Sequence, residues 1–140
     1  MAKNAENVNI PSNYSATIAE SSRELTARER VMFKDTQNAV SINDLAEEAK
    51  KNDAKAFIEG IAGYVVLDIH NDKSDDKDYK NYLIIDKDGQ KYVTGSQAFW
   101  NSFMGIYNEM KDEKDPWSIE INLLPSKNYK GKNVLTCSLI

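Results

Sequence analysis

From Gly63 to its last residue, the chain alternates apolar runs with turn residues in an order that limits the folds open to it. The segments 64–70 and 79–86 are rich in β-branched and aromatic residues, as is typical of strands. Asp88 and Gly89 follow, and a glycine there accepts the positive φ of a two-residue hairpin loop. We therefore expect the segment 90–94 to fold back antiparallel on 79–86.

One amphipathic helix is predicted after these three strands. Between Ser96 and Met110 the apolar residues recur at intervals of three and four, the period of a helix with one buried face. After Pro116, apolar and polar residues alternate from Trp117 to Leu123 as in a half-buried strand, and a last strand is predicted over 134–140. This order predicts an α+β, mainly β fold: a five-stranded OB-fold-like (oligonucleotide-binding) barrel with one helix between strands 3 and 4.

The N-terminal part predicts a helical and extended embellishment of that barrel. Residues 1–20 are polar and contain Pro11, so we expect a flexible N-terminal arm, with 21–140 forming a single OB-fold-like domain. Ser21 or Thr26 is placed to cap a short helix, because a glutamate follows each three residues later. The segment 29–34 is also compatible with a strand.

Two further elements are predicted before the barrel. Val40 and Ile42 indicate a short strand, and the segment 43–51, with Asn43 as its cap, fits a helix. The segment 56–61 is expected to be the first half of a long strand that bends at Gly60 and Gly63, as closed barrels require.

Cysteine content and hydropathy bear on the compartment. The single cysteine, Cys137, lies in an alternating apolar run, which predicts a small buried side chain in a reducing environment. The sequence has neither an apolar signal segment nor a long apolar span. We expect a soluble, cytoplasmic protein that does not contact a membrane.

Catalytic and metal-binding arrangements find little support in the sequence. The single histidine, His70, would have to anchor any triad or metal site. The acidic segment 72–78 lacks the glycine and glutamate that an EF-hand needs at its sixth and twelfth positions. Glycine-rich phosphate-binding spacings are also missing. We therefore predict that the protein is not an enzyme and uses neither a metal nor another cofactor.

Aromatic and basic residues point instead to single-stranded nucleic acid, which such proteins bind by stacking bases on rings and running phosphates along lysines. The net charge of -4 is unusual for such a protein, but residues 126–140 contain three lysines and no acidic residue. In an OB fold the ligand crosses the second and third strands and contacts the loop between the last two. The candidate contacts are therefore Lys80, Tyr82, Lys91, Tyr92, Lys127, Tyr129, Lys130 and Lys132.

Each of these assignments has a structural alternative. The segment 126–132 is compatible with an ordinary exposed loop, and Tyr82 and Tyr92 with ordinary cross-strand pairs. Trp100 and Trp117 lie in phase with apolar neighbours, so we expect both in the core.

Six segments of the chain resemble a small family of single-stranded DNA-binding proteins. They are 22–35, 70–79, 92–96, 99–100, 126–132 and 135–138. These proteins are encoded by bacteriophages and related mobile elements of Gram-positive bacteria. The resemblance implies non-enzymatic coating of single strands in phage DNA replication or recombination, in the cytoplasm of the host cell.

Two other functions stay open at this point. A phage-encoded protein-interaction module that binds or inhibits a host protein fits the acidic composition and the acidic segment 71–78. An enzyme using His70 with Asp68 or Asp72 lacks a second catalytic group in register. Homo-oligomerisation, contacts with replication proteins and the choice between DNA and RNA are likewise left open by the sequence.

Overall fold

In the computed structural model, which describes residues 14–140, eight strands and three helices follow one another along the chain. The strands are β1 (Tyr14–Ser21), β2 (Val40–Ser41), β3 (Ala56–Ile58), β4 (Ile61–Asn71), β5 (Asp78–Asp86), β6 (Lys91–Thr94), β7 (Ile119–Pro125) and β8 (Asn133–Leu139). The helices are α1 (Ala27–Lys34), α2 (Ile42–Lys51) and α3 (Gln97–Met110). The strands form one five-stranded sheet, in the order β1-β4-β5-β6-β2, and one three-stranded sheet, in the order β3-β7-β8. The fold is therefore mixed α+β and mainly β.

The hairpin between β5 and β6 forms where the sequence predicts it. Gly89 has a φ of 84°, a conformation that a side chain would oppose. One carboxylate oxygen of Asp86 accepts hydrogen bonds from the backbone N–H groups of Asp88 and Gln90, both at 2.9 Å. The turn therefore depends on the Asp86 side chain as well as on the glycine.

Side chains at the N-termini determine where the helices begin. Thr26 caps α1 in a capping box with Glu29, so the helical alternative for this segment is confirmed. In α2 the capping side chain is that of Ser41, not the predicted Asn43, because the helix begins at Ile42, two residues earlier than a cap at Asn43 implies. Ser96 caps α3, where its hydroxyl accepts from the N–H of Phe99.

The segment predicted as one long bent strand is divided between the two sheets. β3 pairs with β7, whereas β4 pairs with β5, and the chain passes from one sheet to the other at Gly60. Gly60 has a φ of 68°, and a Cβ there would come within 2.7 Å of the Lys87 side chain. Only a glycine fits this crossing without displacing Lys87.

The five-stranded sheet is open, so the expected closure into a barrel is wrong. Closure would need hydrogen bonds between β6 and β8, and none of the described residues forms such a ladder. Both edges of β6 are already occupied, because β5 pairs with one and β2 pairs in parallel with the other. Helix α3 packs along β8 instead.

The predicted N-terminal arm includes a strand. Residues 14–21 pair antiparallel with β4, from Tyr14 opposite Asn71 to Ser21 opposite Val65. The expectation of a flexible arm is therefore wrong for residues 14–20, and its remainder, residues 1–13, lies outside the described residues.

The five-stranded sheet is buried on both faces. One face packs with α2, α3 and the three-stranded sheet into a main core, which includes Phe99, Phe103 and both predicted core tryptophans, Trp100 and Trp117. The predicted burial of Cys137 in this core is also confirmed, and burial raises the pKa of its thiol to about 12. The opposite face forms an outer core, made of Leu25, Phe33, Val65, Leu67, Ile69 and Leu83.

Within residues 14–140, no helix is long and apolar enough to cross a membrane.

Candidate nucleic-acid interface

Tyr82, predicted to stack on a base, lies inside the main core. Tyr82 is only 4% exposed, and its ring stacks on that of Trp100 with the two ring centroids 4.8 Å apart. Its hydroxyl donates to Oε1 of Gln97 at 2.6 Å. The prediction for Tyr82 is therefore wrong, because α3 covers the ring that a base would need.

Tyr92 lies opposite Ile84 and packs against the same core. Its hydroxyl donates to Oδ2 of Asp86 at 3.0 Å. Burial, with a smaller effect of this hydrogen bond, raises the pKa of Tyr92 to about 12. The ring is partly buried against the main core, and its predicted stacking on a base stays a prediction.

The two strand lysines have partners within the protein. Lys80 forms an ion pair across the β4–β5 ladder with Asp68, and the hydrogen bond between them raises the pKa of Lys80. Nζ of Lys91 donates to the carbonyl oxygens of Met32 (2.8 Å) and Asp35. Carbonyls at the end of a helix lack partners within it, so Lys91 caps the C-terminus of α1. Both lysines therefore have partners within the protein, and their predicted contact with phosphates stays a prediction.

The outward face of β4 and β5 is covered by α1 and by the segment that leads into it. Leu25 and Phe33 pack on Val65, Leu67 and Leu83, and so close the face on which an OB fold binds its ligand. The sequence carried a signal of this arrangement. The runs 65–67 and 83–85 are continuously apolar, which is typical of strands buried on both faces.

The loop between β7 and β8, residues 126–132, brings the other four predicted residues together. Tyr129 is 70% exposed, and Lys127, Lys130 and Lys132 are also exposed. None of the ion pairs formed within residues 14–140 involves these three lysines. The described part of the chain thus presents one exposed ring and three cations on a single loop.

Backbone hydrogen bonds give this loop a defined shape. The N–H of Ser126 donates to the carbonyl of Lys132 at 2.8 Å, and the N–H of Lys132 donates to the carbonyl of Tyr129 at 3.1 Å. The Ser126 hydroxyl accepts from the N–H of Tyr129 at 3.2 Å. Gly131 adopts a φ of 81°, which lets the chain turn back into β8. The loop is therefore a formed turn with its side chains directed outward.

His70 lies at the end of β4, far along the sheet from the hairpin turn. Its Nδ1 lies 2.8 Å from Oδ1 of Asp78, and its Nε2 lies 2.8 Å from Oδ1 of Asp72. These contacts raise the pKa of His70, with the hydrogen bond to Asp78 as the largest cause. Both partners are carboxylates, so both contacts are hydrogen bonds only when the His70 ring is protonated.

No group of three or more His, Cys, Asp or Glu side chains in residues 14–140 is arranged to hold a metal ion. Comparison with protein-family models, with curated proteins and with solved structures finds no match for the chain.

Proposed function

We propose that the protein binds single-stranded DNA with little sequence preference, in phage DNA replication or recombination, through the loop 126–132. The observation that carries the proposal is the exposed Tyr129 ring among three lysines that have no carboxylate partner in the described residues. Stacking accepts any base, since every base has a flat face. Ammonium groups bind phosphates without reading sequence.

Connectivity supports the OB-like part of this proposal. The order β4, β5, β6, α3, β7, β8, with the chain crossing from β3 into β4, follows the strand order of an OB fold that lacks its closing ladder. Counted in this way, the loop 126–132 corresponds to the loop between strands four and five. That loop contacts the ligand in OB folds.

Because the sheet face is covered, single-stranded DNA would be bound differently from the way an OB fold binds it. In OB folds the second and third strands, here β5 and β6, contribute to the site, but Leu25 and Phe33 form a core with Leu83 of β5, and Val93 of β6 packs partly buried against it. The proposed interface is therefore centred on one loop. A small contact of this kind implies weak binding by one copy and a strong dependence on salt.

The test is a salt titration of a variant in which Lys127, Lys130 and Lys132 are replaced by glutamine. Each phosphate contact contributes about 0.7 to the slope of log affinity against log salt for a single strand, so the slope should fall by about 2. The matched control replaces Lys87, Lys111 and Lys114, which border a different cleft of the molecule. The same loss of slope in both variants, or in neither, would contradict the proposal.

A second candidate function, a module that binds a host protein, is favoured by two adjacent apolar side chains on α1. Val31 is 70% exposed and Met32 is 57% exposed. Neighbouring exposed apolar residues are typical of protein contacts. This function requires that the protein ignores single-stranded DNA at low salt, and that Val31→Ser with Met32→Ser abolishes capture of one host protein.

A further inference from the structure

A groove runs along α2, from Asn43 to Lys51, and meets the start of β8 next to the loop 126–132. Its volume is about 600 Å³, and we call it the α2–β8 groove. Its lining includes Glu47, Lys50 and Lys51 of α2, and Gly131, Lys132 and Asn133 at the end of the loop. Lysines therefore border it from both sides, two from the last turn of α2 and one from the loop.

The groove is continuous with the loop proposed to bind DNA. Lys132 and Gly131 belong to both, and Asn133 is the first residue of β8. Nζ of Lys50 donates to Oδ1 of Asn133 at 3.2 Å, which fixes the end of α2 beside the end of the loop. Single-stranded DNA bound at the loop would therefore reach the groove without crossing another helix or β-strand.

The charge around the groove favours an anion. Three lysines face one carboxylate, that of Glu47, and the other polar lining groups are neutral. Lysines in the last turn of a helix also interact favourably with its dipole, which explains Lys50 and Lys51 without any ligand. That explanation does not account for Lys132, which belongs to no helix and lies across the groove from them.

We propose that a single strand bound at the loop continues into the α2–β8 groove, where Lys50 and Lys51 contact its phosphates. This inference rests on the proposed function and adds a second part to the same site. The ligand class is a single-stranded polynucleotide long enough to span both parts, within the range of about 4 to 16 nucleotides seen for one OB fold. The DNA backbone would thus follow the groove instead of the covered sheet face.

The experiment compares two double variants in the intact protein. In Lys50→Gln with Lys51→Gln, the salt slope for a single strand of about 15 nucleotides should fall by about 1.4, from two lost contacts. In Lys111→Gln with Lys114→Gln, which removes the same charge elsewhere, the slope should not change. Circular dichroism and thermal melting establish that both variants are folded.

A gain of function provides the second arm. Glu47→Gln removes the one carboxylate from the groove lining, so affinity at low salt should rise about two- to fivefold, the effect of one nearby charge near a surface. This result cannot come from damage to the fold.

Two outcomes separate the inference from the proposed function. If the loop variants lose affinity while the Lys50 and Lys51 variant and Glu47→Gln bind like the unchanged protein, the groove is not part of the site and the loop is. If the unchanged protein does not bind a single strand, both proposals fail.

Discussion

The ring of Tyr82 lies against the ring of Trp100, with the two planes inclined by 18° and the centroids 4.8 Å apart. Tyr82 comes from β5 and Trp100 from α3, so this pair joins the five-stranded sheet to the helix that crosses it. One of the three tyrosines predicted to stack on DNA therefore stacks on the protein's own tryptophan. Its contribution is to stability.

Replacing Tyr82 should change stability and leave DNA binding as it is. Tyr82→Phe keeps the stacked ring and removes the hydrogen bond to Gln97, which should lower the free energy of unfolding by about 1 kcal/mol. Tyr82→Ala also removes the ring and should cost about 3 to 5 kcal/mol. Urea denaturation measures both values. A Phe variant that is as stable as the unchanged protein but binds DNA more weakly would return Tyr82 to the interface.

Replacing Tyr129 should weaken DNA binding and leave stability as it is. Its ring is exposed, so Tyr129→Ala should leave the free energy of unfolding within about 0.5 kcal/mol of its original value. Loss of one stacked base should weaken single-strand binding by about 1 to 3 kcal/mol. Anisotropy of a labelled oligonucleotide measures the affinity.

Tyr129→Phe is the matched control, because it keeps the flat ring and removes only the hydroxyl. Its affinity should stay close to that of the unchanged protein. If Ala and Phe weaken binding equally, the hydroxyl and not stacking accounts for the contact.

Lys91 should act through α1. Lys91→Met keeps the aliphatic stem and removes both hydrogen bonds to the carbonyls of Met32 and Asp35, so the free energy of unfolding should fall by about 1 kcal/mol. Amide exchange in α1 should become faster. The salt slope for single-stranded DNA should not change, whereas a fall of about 0.7 with unchanged stability would show that Lys91 contacts a phosphate after all.

His70 should titrate above its ordinary pKa of 6.5, because its imidazolium donates to Asp78 and Asp72. Asp78→Asn should lower the pKa of His70 more than Asp72→Asn does, since the hydrogen bond to Asp78 is the largest cause of the shift. The chain has one histidine, so its proton NMR signals need no further assignment. A pKa at or below 6.5 would mean that the two contacts do not form in solution.

The sign of the accompanying stability effect follows from the raised pKa. The folded state binds the proton more tightly than the unfolded state, so the contribution of His70 is complete below pH 6.5. It is lost as the pH rises through the folded-state pKa. His70→Gln should remove this part of the pH dependence.

The sequence predicts the elements of the C-terminal two-thirds because each has a strong local signal. The Asp88-Gly89 turn, the apolar period of α3 and the alternation in β7 are properties of short segments. The same holds for Thr26 and Glu29, whose spacing marks the start of α1.

The pairing of β1 and β2 with the other strands of the five-stranded sheet could not be predicted from such local signals. The pairing of Val40 with Tyr92 occupies the edge of β6 that would have to pair with β8 in a closed barrel. The strand β2 is only two residues long, so its sequence carries little signal. The strand β1 has a polar sequence, and its pairing with β4 depends on partners more than 40 residues away. The loop residues Lys127 to Lys132 needed no such information, since a turn rich in lysine stays at the surface.

The most direct test of the central claim, that the protein binds single-stranded DNA through its lysine-rich loop, is a titration of labelled oligonucleotides at several salt concentrations. The label belongs on the DNA, because Trp100 and Trp117 are buried and would not report a contact at Tyr129. We expect tighter binding to a single strand than to a duplex of equal length, with log affinity falling by at least about 2 per tenfold increase in salt. No binding at low salt, or binding that does not change with salt, would contradict it.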